Sequence, residues 1–266
     1  MTWHTIHLAT VDSTNDEARR QSIVRPGQPI LVSADAQTGG RGRHGRAWSS
    51  PPGGAWFSIA WPMRGDPASY EPVPLLTGLA VIESLPDSLP LEIKWPNDVL
   101  LGERKVAGIL CERHLPATLE AQQPPLVAPA SWPPVLPDAC SALIIGIGIN
   151  ANIDPAALDQ PLRIPAASLR AALGHDIDVA ALIDRVTRRL VARLSDFEAH
   201  GLTDADIAAI DRCLAWRGTA VSYERQGKLE TGVITGIAAD GALVLRCNGQ
   251  RRTLCGGEVQ RLAPQP

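Results

Sequence analysis

LEIKWPNDVLLGERKVAGILC, residues 91–111, combines apolar runs with turn residues in a way that specifies local structure. The apolar and β-branched runs at 91–101 and 105–111 predict strands, and the Pro-Asn-Asp sequence at 96–98 is common turn chemistry. The segment therefore predicts a β-hairpin that carries one lysine on each arm, Lys94 and Lys105.

Outward from this hairpin, two further apolar runs and two helical patterns extend the prediction. The runs at 54–61 and 142–151 predict more strands, and helical spacing occurs at 74–85 and 179–200. The second helix has an apolar stripe on one face, consisting of Leu182, Ile183, Val186, Leu190, Val191, Leu194 and Phe197. We expect both helices to pack on the sheet.

The last part of the chain has a different texture. Short alternating segments, broken by Asp-Gly and Asn-Gly turns, occur at 219–223, 229–237, 242–246 and 251–255. They predict a small all-β module that is separate from the rest. The predicted domains are therefore residues 1–211 and residues 212–266. A Pro- and Ala-rich segment at 115–138 predicts a surface insertion between two strands, with no role assigned to it.

Composition narrows the class of protein. The chain has 266 residues, of which 45% are hydrophobic, enough for one large domain or one large and one small. Its 25 basic and 28 acidic residues give no overall field that favours nucleic acid or a membrane surface. No secretory signal and no long apolar run is present. The five scattered cysteines indicate reduced thiols in a cytoplasm and disfavour a zinc site.

The segment QTGGRGRHGRAWS, residues 37–49, concentrates glycines and arginines between two predicted strands. Glycines let the backbone approach a ligand closely, while Arg41, Arg43 and Arg46 can surround phosphate or carboxylate oxygens. Such a loop could also close over a reactive intermediate and exclude water. An RNA-binding Gly-Arg segment and a solvated surface turn are the open alternatives. His44 has no orienting carboxylate in the sequence, and its role stays open.

The segment STNDE, residues 13–17, precedes a short helical stretch. Thr14 with Glu17 matches a capping box, which is the structural interpretation. In the functional interpretation, the Ser13 and Thr14 hydroxyls and the Asn15 amide hydrogen-bond a small polar ligand. The two interpretations are compatible.

Polar residues of the predicted hairpin suit a nucleotide. Asn97 and Asp98 offer oxygen ligands of the kind that a magnesium nucleotide uses, and Lys94 and Lys105 could neutralise charge on a phosphoryl group. The alternative is an ordinary turn flanked by surface charges.

The segment IGIGINAN, residues 145–152, reads as a buried strand whose glycines admit a neighbouring group at close range. The dinucleotide fingerprint and the Walker phosphate loop are both absent from the sequence, so any ATP site has another architecture. Nucleophilic-serine and zinc-hydrolase motifs are also absent.

Five blocks in order resemble the biotin protein ligases: STND at 13–16, Q-x-x-GRGRHGRAW at 37–48, KWPND at 94–98, KVAGIL at 105–110 and GIGIN at 146–150. The resemblance implies an α+β catalytic domain, in which helices pack on a mixed, largely antiparallel sheet of the class II synthetase-like type. A small SH3-like β-barrel is expected to follow it. The resemblance also implies a two-step reaction in which biotin and MgATP give biotinyl-AMP, and a lysine of a biotin carboxyl carrier protein then takes the biotinyl group.

The resemblance implies a role for each matching residue. Biotin contacts are expected from Ser13, Thr14, Asn15, Gln37, Arg41, Gly42, Arg43 and Lys105. Nucleotide contacts are expected from Trp48, Lys94, Asn97 and Asn150, and Mg²⁺ contacts from Asn97 and Asp98. Catalytic roles fall to Lys105, Arg41, Arg43 and Lys94. The expected protein is a cytoplasmic monomer or homodimer that contacts neither nucleic acid nor membrane.

Some relatives carry a DNA-binding domain before the catalytic core. Here the first block begins at Ser13, which leaves no room for one, so repressor activity is not expected. Three alternatives stay open: a lipoate or octanoate ligase of the same fold, a biotin-binding protein without catalysis, and a nucleic-acid-binding module that uses the loop arginines.

Overall fold

The computed structural model describes residues 3–64, 66–114, 141–158, 164–225 and 227–262. The predicted insertion at 115–138 lies outside the described residues. The helices and strands, in chain order, are β1 His4–Val11, α1 Thr14–Val24, β2 Ile30–Gln37, β3 Ala55–Pro62, α2 Val73–Glu83, β4 Leu91–Lys94, β5 Asp98–Leu101, β6 Arg104–His114, β7 Ala142–Ile149, α3 Leu169–Leu173, α4 Val179–His200, α5 Asp204–Arg212, β8 Ala220–Arg225, β9 Lys228–Ile237, β10 Leu243–Cys247, β11 Gln250–Leu254 and β12 Val259–Arg261.

The chain forms two compact units, and their boundary falls inside β6 and at the end of β7. The first unit comprises Met1–Pro67 and Leu110–Gly148, and the second comprises Ala68–Ile109 and Ile149–Pro266. Strand order in the first unit is β1-β2-β3-β7-β6. Strand β1 pairs with β2 in parallel, while β2 pairs with β3 antiparallel. The sheet is therefore mixed, as expected.

Helix α1 covers one face of the strands in the first unit. Its Ala18 is fully buried and lies in one apolar cluster with Ile30, Val32, Ala60, Ala142 and Ile144. Strand β3 is buried along nearly its whole length, because its apolar residues do not alternate with polar ones. Ser58 is the exception within this apolar strand, and its side chain is also fully buried.

In the second unit, residues 91–109 form an antiparallel meander of three strands. Strand β4 pairs with β5, and β5 pairs with the first part of β6. The run at 91–101 is thus two strands separated by a turn, not one. The prediction that Lys94 and Lys105 lie on the two arms of one hairpin is wrong. They lie on β4 and β6, the outer two of three strands, because Gly102 and Glu103 make a second tight turn.

The long helix α4 follows its predicted pattern. Its buried residues are Leu182, Val186, Leu190, Leu194 and Phe197, all on the predicted face. The Asp178 side chain caps the start by accepting from the Ala181 amide at 3.0 Å, and Gly201 ends the helix with a φ of 70°. Helix α4 joins α2 through an ion pair of Arg193 with Glu83 at 2.5 Å.

The predicted C-terminal strands form a five-stranded antiparallel sheet in the order β11-β10-β9-β8-β12. Strand β12 was not predicted from the sequence. The buried face of this sheet shares one apolar cluster with Leu75, Leu79, Ile93, Trp95 and Ile210 of the same unit. Among its described residues, the module therefore shows no core separate from this cluster, and a domain boundary at residue 211 stays a prediction.

Cys111, Cys213, Cys247 and Cys255 are all free thiols. Within the ranges that the structure describes, no helix combines the length and the apolar character that crossing a bilayer requires.

Candidate active site

Thr14 begins α1 and directs its side chain into the first unit rather than capping the helix. Its backbone amide donates to Gln37 Oε1 at 2.8 Å, and its hydroxyl oxygen lies 3.0 Å from the same atom. Ser13 precedes the helix without a side-chain cap, and Glu17 bonds Arg20 and Gln21 instead. The capping box predicted for Thr14 and Glu17 is therefore wrong, and the Thr14 side chain belongs to a polar site.

We call this site the hydroxyl–amide cluster; its members are Thr14, Asn15, Gln37, Ser50 and Ser58. Ser58 Oγ lies 2.7 Å from Thr14 Oγ1 and 2.6 Å from Asn15 Oδ1. The Gln37 side-chain amide donates to Ser50 Oγ at 2.8 Å. Thr14, Asn15 and Ser58 are 4%, 5% and 0% exposed, so these hydrogen bonds form away from bulk water.

The Asn15 amide is held on three sides. Its oxygen faces Ser58, and its nitrogen donates to Glu112 Oε2 at 2.7 Å and, at 3.5 Å, to the Leu110 carbonyl. A Cβ on Gly146 would lie 2.2 Å from Asn15 Oδ1, so that only glycine fits there. The prediction that the glycines of β7 admit a neighbouring group is confirmed at this position.

The other β7 glycine accommodates the tryptophan of the Gly-Arg loop. A Cβ on Gly148 would lie 2.7 Å from Trp48 Nε1. The Trp48 ring also meets the buried Trp56 ring edge to face, with centroids 6.4 Å apart. Trp48 is therefore fixed between β3 and β7 rather than free on the loop.

The Gly-Arg loop itself is a folded hairpin. The Trp48 amide donates to the Gly40 carbonyl at 2.8 Å, and the Gly42 amide donates to the Arg46 carbonyl at 2.7 Å. An isolated bridge pairs Arg41 with Ala47. Around the tip, His44 is exposed and adopts a left-handed backbone with a φ of 58°. These contacts present the arginines from a defined backbone.

Arg41 is paired with two carboxylates, Asp16 of the STND block and Glu112 on β6. Its guanidinium binds Asp16 through both terminal nitrogens, the Nη2 contact measuring 2.8 Å. Glu112 Oε2 lies 3.8 Å from Arg41 and 3.2 Å from Arg19. The hydrogen bond from Arg41 lowers the pKa of the Asp16 carboxyl below its usual value. The two arginines and two carboxylates balance in charge.

A second polar site lies in the second unit and we call it the lysine cluster, comprising Lys94, Asp98 and Lys105. Lys105 Nζ lies 2.6 Å from Asp98 Oδ1, and Lys94 Nζ lies 4.0 Å from Asp98 Oδ2. Lys94 also lies over the Trp216 ring, 5.7 Å from its centroid. The lysine side chains are 8% and 24% exposed, so their charges are only partly screened by water.

Asn97 and Asn150 contact the backbone of β6, Asn150 at Lys105 and Asn97 further along the strand at Ile109. The Asn97 side chain donates to the Ile109 carbonyl at 2.8 Å, and the Asn150 side chain donates to the Lys105 carbonyl at 3.3 Å. The Asn150 backbone amide donates to the Val106 carbonyl at 2.8 Å. Both asparagines therefore help to fix the strand that carries Lys105.

The lysine cluster does not fit a metal ion held by protein ligands alone. The Asp98 carboxylate faces two ammonium groups, whose positive charge would oppose a divalent cation at the same oxygens. Among the described residues, no three or more of the usual acidic, histidine or cysteine ligands cluster together. The assignment of Mg²⁺ to Asn97 and Asp98 stays a prediction.

The structure thus brings the predicted residues into two groups. Thr14, Asn15, Gln37, Arg41 and Trp48 interconnect within the first unit. The lysines and Asp98 lie on β4–β6 in the second unit. Asn97 lies in the turn between β4 and β5, and Asn150 follows β7 and contacts β6. Gly42 and Arg43 lie in the loop hairpin, and Ser13 is buried just before α1.

Sequence reasoning missed Ser50, Ser58, Asp16 and Glu112 as members of the first group. For Ser58 a signal existed, because a lone serine in the apolar strand AWFSIAWP demands a buried hydrogen-bond partner. Glu112 gave no such signal. In the sequence it follows the strand predicted at 105–111 as an ordinary charged residue, 97 positions from the asparagine that it holds.

Comparison with known families covers both parts of this arrangement. Residues 8–122 match the family described as Biotin/lipoate A/B protein ligase, and residues 218–262 match the Biotin protein ligase C terminal domain. The first match includes both the loop and the meander. The second covers all five strands of the C-terminal sheet.

Whole-chain relatives agree with these matches. The bifunctional ligase/repressor BirA of Bacillus subtilis is 30% identical across 97% of this chain and 74% of that protein. The biotin–[acetyl-CoA-carboxylase] ligase of Paracoccus denitrificans is 29% identical across 95% of this chain and 98% of its own length. A structure of the Aquifex aeolicus biotin protein ligase with biotin and ATP superposes with a TM-score of 0.75, at 28% identity over 97% and 99% of the two chains. The chain belongs to the biotin protein ligase family.

Proposed function

We propose that this protein is an ATP-dependent ligase that activates biotin as biotinyl-AMP and transfers it to a lysine of a biotin carboxyl carrier protein. The observation that carries the proposal is the formation of two distinct polar sites by the family's motifs. One is a buried, uncharged hydroxyl–amide cluster, and the other is a partly buried lysine cluster.

The hydroxyl–amide cluster suits recognition of the uncharged part of biotin. Thr14, Gln37 and Asn15 offer directional hydrogen bonds on rigid elements, and a buried hydrogen bond discriminates strongly between ligands. Ser13 completes the set, while Gly42 and Arg43 contribute from the loop. Arg41, whose guanidinium already pairs with a carboxylate, is suited to meet the biotin carboxylate or the adenylate phosphate.

In the first step, a biotin carboxylate oxygen attacks the α-phosphorus of ATP, and the bond to pyrophosphate breaks. Both reactants are anionic, so fixed cations lower the barrier by neutralising the charge that accumulates. Lys105 and Lys94 serve this role at the phosphates, and Asp98 holds both ammonium groups in place. Trp48, Asn97 and Asn150 contribute to the nucleotide site.

In the second step, the neutral amine of a carrier lysine attacks the carbonyl carbon of the adenylate, and AMP leaves with the electron pair of the C–O bond. The adenylate is a mixed anhydride that water would destroy, so the Gly-Arg loop has a reason to cover it. A magnesium ion would enter with the ATP phosphates, and no step above is assigned to one held by the protein.

The carrier is proposed to be a biotin-accepting domain of acetyl-CoA carboxylase or a similar enzyme. This rests on the name of the Paracoccus relative, which acts on that carboxylase and matches over nearly its whole length. A cytoplasmic location and a monomeric or homodimeric state stay predictions from the sequence.

The proposal is tested by exchange of labelled pyrophosphate into ATP. We expect exchange with biotin and none without it, followed by transfer of biotin to a purified carrier domain. Exchange that requires octanoate or lipoate instead would assign the chain to the lipoate side of the matched family. Biotin binding without exchange would leave only a binding protein.

A further inference from the structure

The hydroxyl–amide cluster contains fewer hydroxyl protons than close oxygen contacts. Thr14 and Ser58 each supply one proton. Three contacts compete for them: Thr14 with Ser58 at 2.7 Å, Ser58 with Asn15 Oδ1 at 2.6 Å, and Thr14 with Gln37 Oε1 at 3.0 Å. One of the three must lack a hydrogen.

The direction of the hydrogen bonds is decided at the far end of the cluster, by Glu112. A carboxylate only accepts, so the 2.7 Å contact fixes Asn15 Nδ2 toward Glu112 and Oδ1 toward Ser58. The Leu110 carbonyl accepts from the same nitrogen at 3.5 Å, a longer and weaker contact on the same side of Asn15. Asn15 Oδ1 also only accepts, and Ser58 must therefore donate to it. Thr14 must then donate to Ser58, because two oxygens without a proton between them repel at 2.7 Å.

The contact left without a proton is the longest one, between Thr14 Oγ1 and Gln37 Oε1. Gln37 tolerates this, because its oxygen already accepts from the Thr14 backbone amide at 2.8 Å and its nitrogen donates to Ser50 at 2.8 Å. The hydrogen-bond chain therefore runs in one direction: Thr14 donates to Ser58, Ser58 donates to Asn15, and Asn15 donates to Glu112.

We propose that Glu112 is a positioning residue that sets the direction of this chain, and that Thr14 Oγ1 consequently meets the substrate as a hydrogen-bond acceptor. The proposal deepens the function proposed above and rests on it, since the substrate concerned is biotin. The partner of Thr14 is then a donor group of the substrate. Arg19, at 3.2 Å from Glu112, holds the carboxylate in place.

A rival role for Glu112 is electrostatic, through its 3.8 Å contact with Arg41. The two roles differ in what a glutamine would do at this position. Glutamine keeps an oxygen that accepts from Asn15 but loses the charge, whereas alanine loses both. Glu112→Gln therefore separates orientation from charge.

The test measures KM for biotin, KM for ATP and kcat in pyrophosphate exchange, with biotin affinity from calorimetry as a second readout. We expect Glu112→Ala to raise the biotin KM and Kd by about tenfold, the usual cost of a hydrogen bond to a charged group. The ATP KM and kcat should stay within about twofold. Glu112→Gln should recover most of the biotin affinity, and the control Glu17→Ala, a carboxylate paired with Arg20 at 2.7 Å, should match wild type.

A second variant interrupts the same chain elsewhere. Ser58→Ala should raise the biotin KM about as much as Glu112→Ala, and the double variant should be little worse than either, because one chain is broken in each case. Three outcomes would overturn the proposal. They are additive increases in biotin KM in the double variant, equal losses of biotin affinity in Glu112→Gln and Glu112→Ala, and a lower kcat or higher ATP KM with an unchanged biotin KM.

The two proposals fail in different ways. Wild-type protein that binds biotin without exchange defeats the ligase function, while the calorimetric series still tests Glu112. Wild-type protein that exchanges normally, with Glu112→Ala unchanged in biotin KM and Kd, defeats only the role of Glu112.

Discussion

The hydroxyl–amide cluster and the lysine cluster solve different physical problems. The first joins neutral groups by short hydrogen bonds in a region closed to water, and its charged residues lie at its margin. The second places two cations around a single carboxylate, with part of each side chain in water. Neutral directional contacts discriminate among ligands, whereas fixed charges stabilise a transition state. The difference predicts that substitutions in the hydroxyl–amide cluster raise the KM for biotin, whereas substitutions in the lysine cluster lower kcat.

The largest effect is expected from Lys105→Ala. Loss of this cation should lower the rate of adenylate formation by about 100-fold, the usual cost of one group that stabilises charge in a transition state. Biotin affinity should change much less. Lys228→Ala, which removes the remaining lysine from an exposed position, is the matched control. Single-turnover rates near normal in Lys105→Ala would break the comparison at its strongest point.

A smaller effect, on affinity rather than rate, is expected from Gly146→Ala. The added Cβ would lie 2.2 Å from Asn15 Oδ1 and must displace that amide. We expect a biotin KM higher by about tenfold and a loss of roughly 1–3 kcal/mol in the free energy of unfolding, as for other overpacked sites. Gly256→Ala adds a Cβ with no heavy atom within 4 Å and should have neither effect. A change confined to kcat would contradict the division between the clusters.

Asp98→Asn sharpens the division by testing what the carboxylate of the lysine cluster does. Without its charge the two ammonium groups repel each other, while the asparagine oxygen still accepts a hydrogen bond. We expect adenylate formation to fall by about fivefold, the scale of one ordinary hydrogen bond. Excess Mg²⁺ should not restore the rate. Full recovery at high Mg²⁺ would instead favour the metal-ligand role predicted from the sequence.

The smallest effect concerns the charged margin of the hydroxyl–amide cluster. Because Arg41 lowers the pKa of Asp16 from its usual 3.8, the pair stabilises the fold above that pH. This contribution should disappear as the pH falls below 3.8 through the lowered value. The side chains are 36% and 22% exposed, so the contribution is about 0.2–1 kcal/mol. In urea unfolding of Asp16→Asn, the free energy of unfolding should lose this dependence on acid pH. An unchanged slope of that free energy against pH would contradict the assignment.

Local sequence patterns predicted the elements of the fold where one period persists. The apolar stripe of α4 and the C-terminal strands repeat their patterns long enough to be read directly. The meander was misread because its strands β4 and β5 have only four residues each, too few to show where a turn begins. Strand β12, with three residues, carries less pattern still.

The candidate site, unlike the helices and strands, could not be predicted from local sequence patterns. Its motif residues were expected through the family resemblance, but the groups that orient them were not. Ser58 and Glu112 contact Asn15 across 43 and 97 positions of sequence, and no local period encodes such pairs. The motifs therefore name the candidate side chains, while tertiary structure determines how each side chain is oriented.

The two glycines of β7 have a consequence for how this chain can change in evolution. Residues two apart on a strand face the same side, roughly 6.6 Å apart, so Gly146 and Gly148 make adjoining gaps for Asn15 and Trp48. One residue inserted or deleted between them would turn one gap to the opposite face of the sheet. An insertion or deletion in this strand should therefore displace either Asn15 or Trp48 from its position. The distance between the STND block, which carries Asn15, and the Gly-Arg loop, which carries Trp48, is therefore fixed by the geometry of β7 and not by the two motifs themselves.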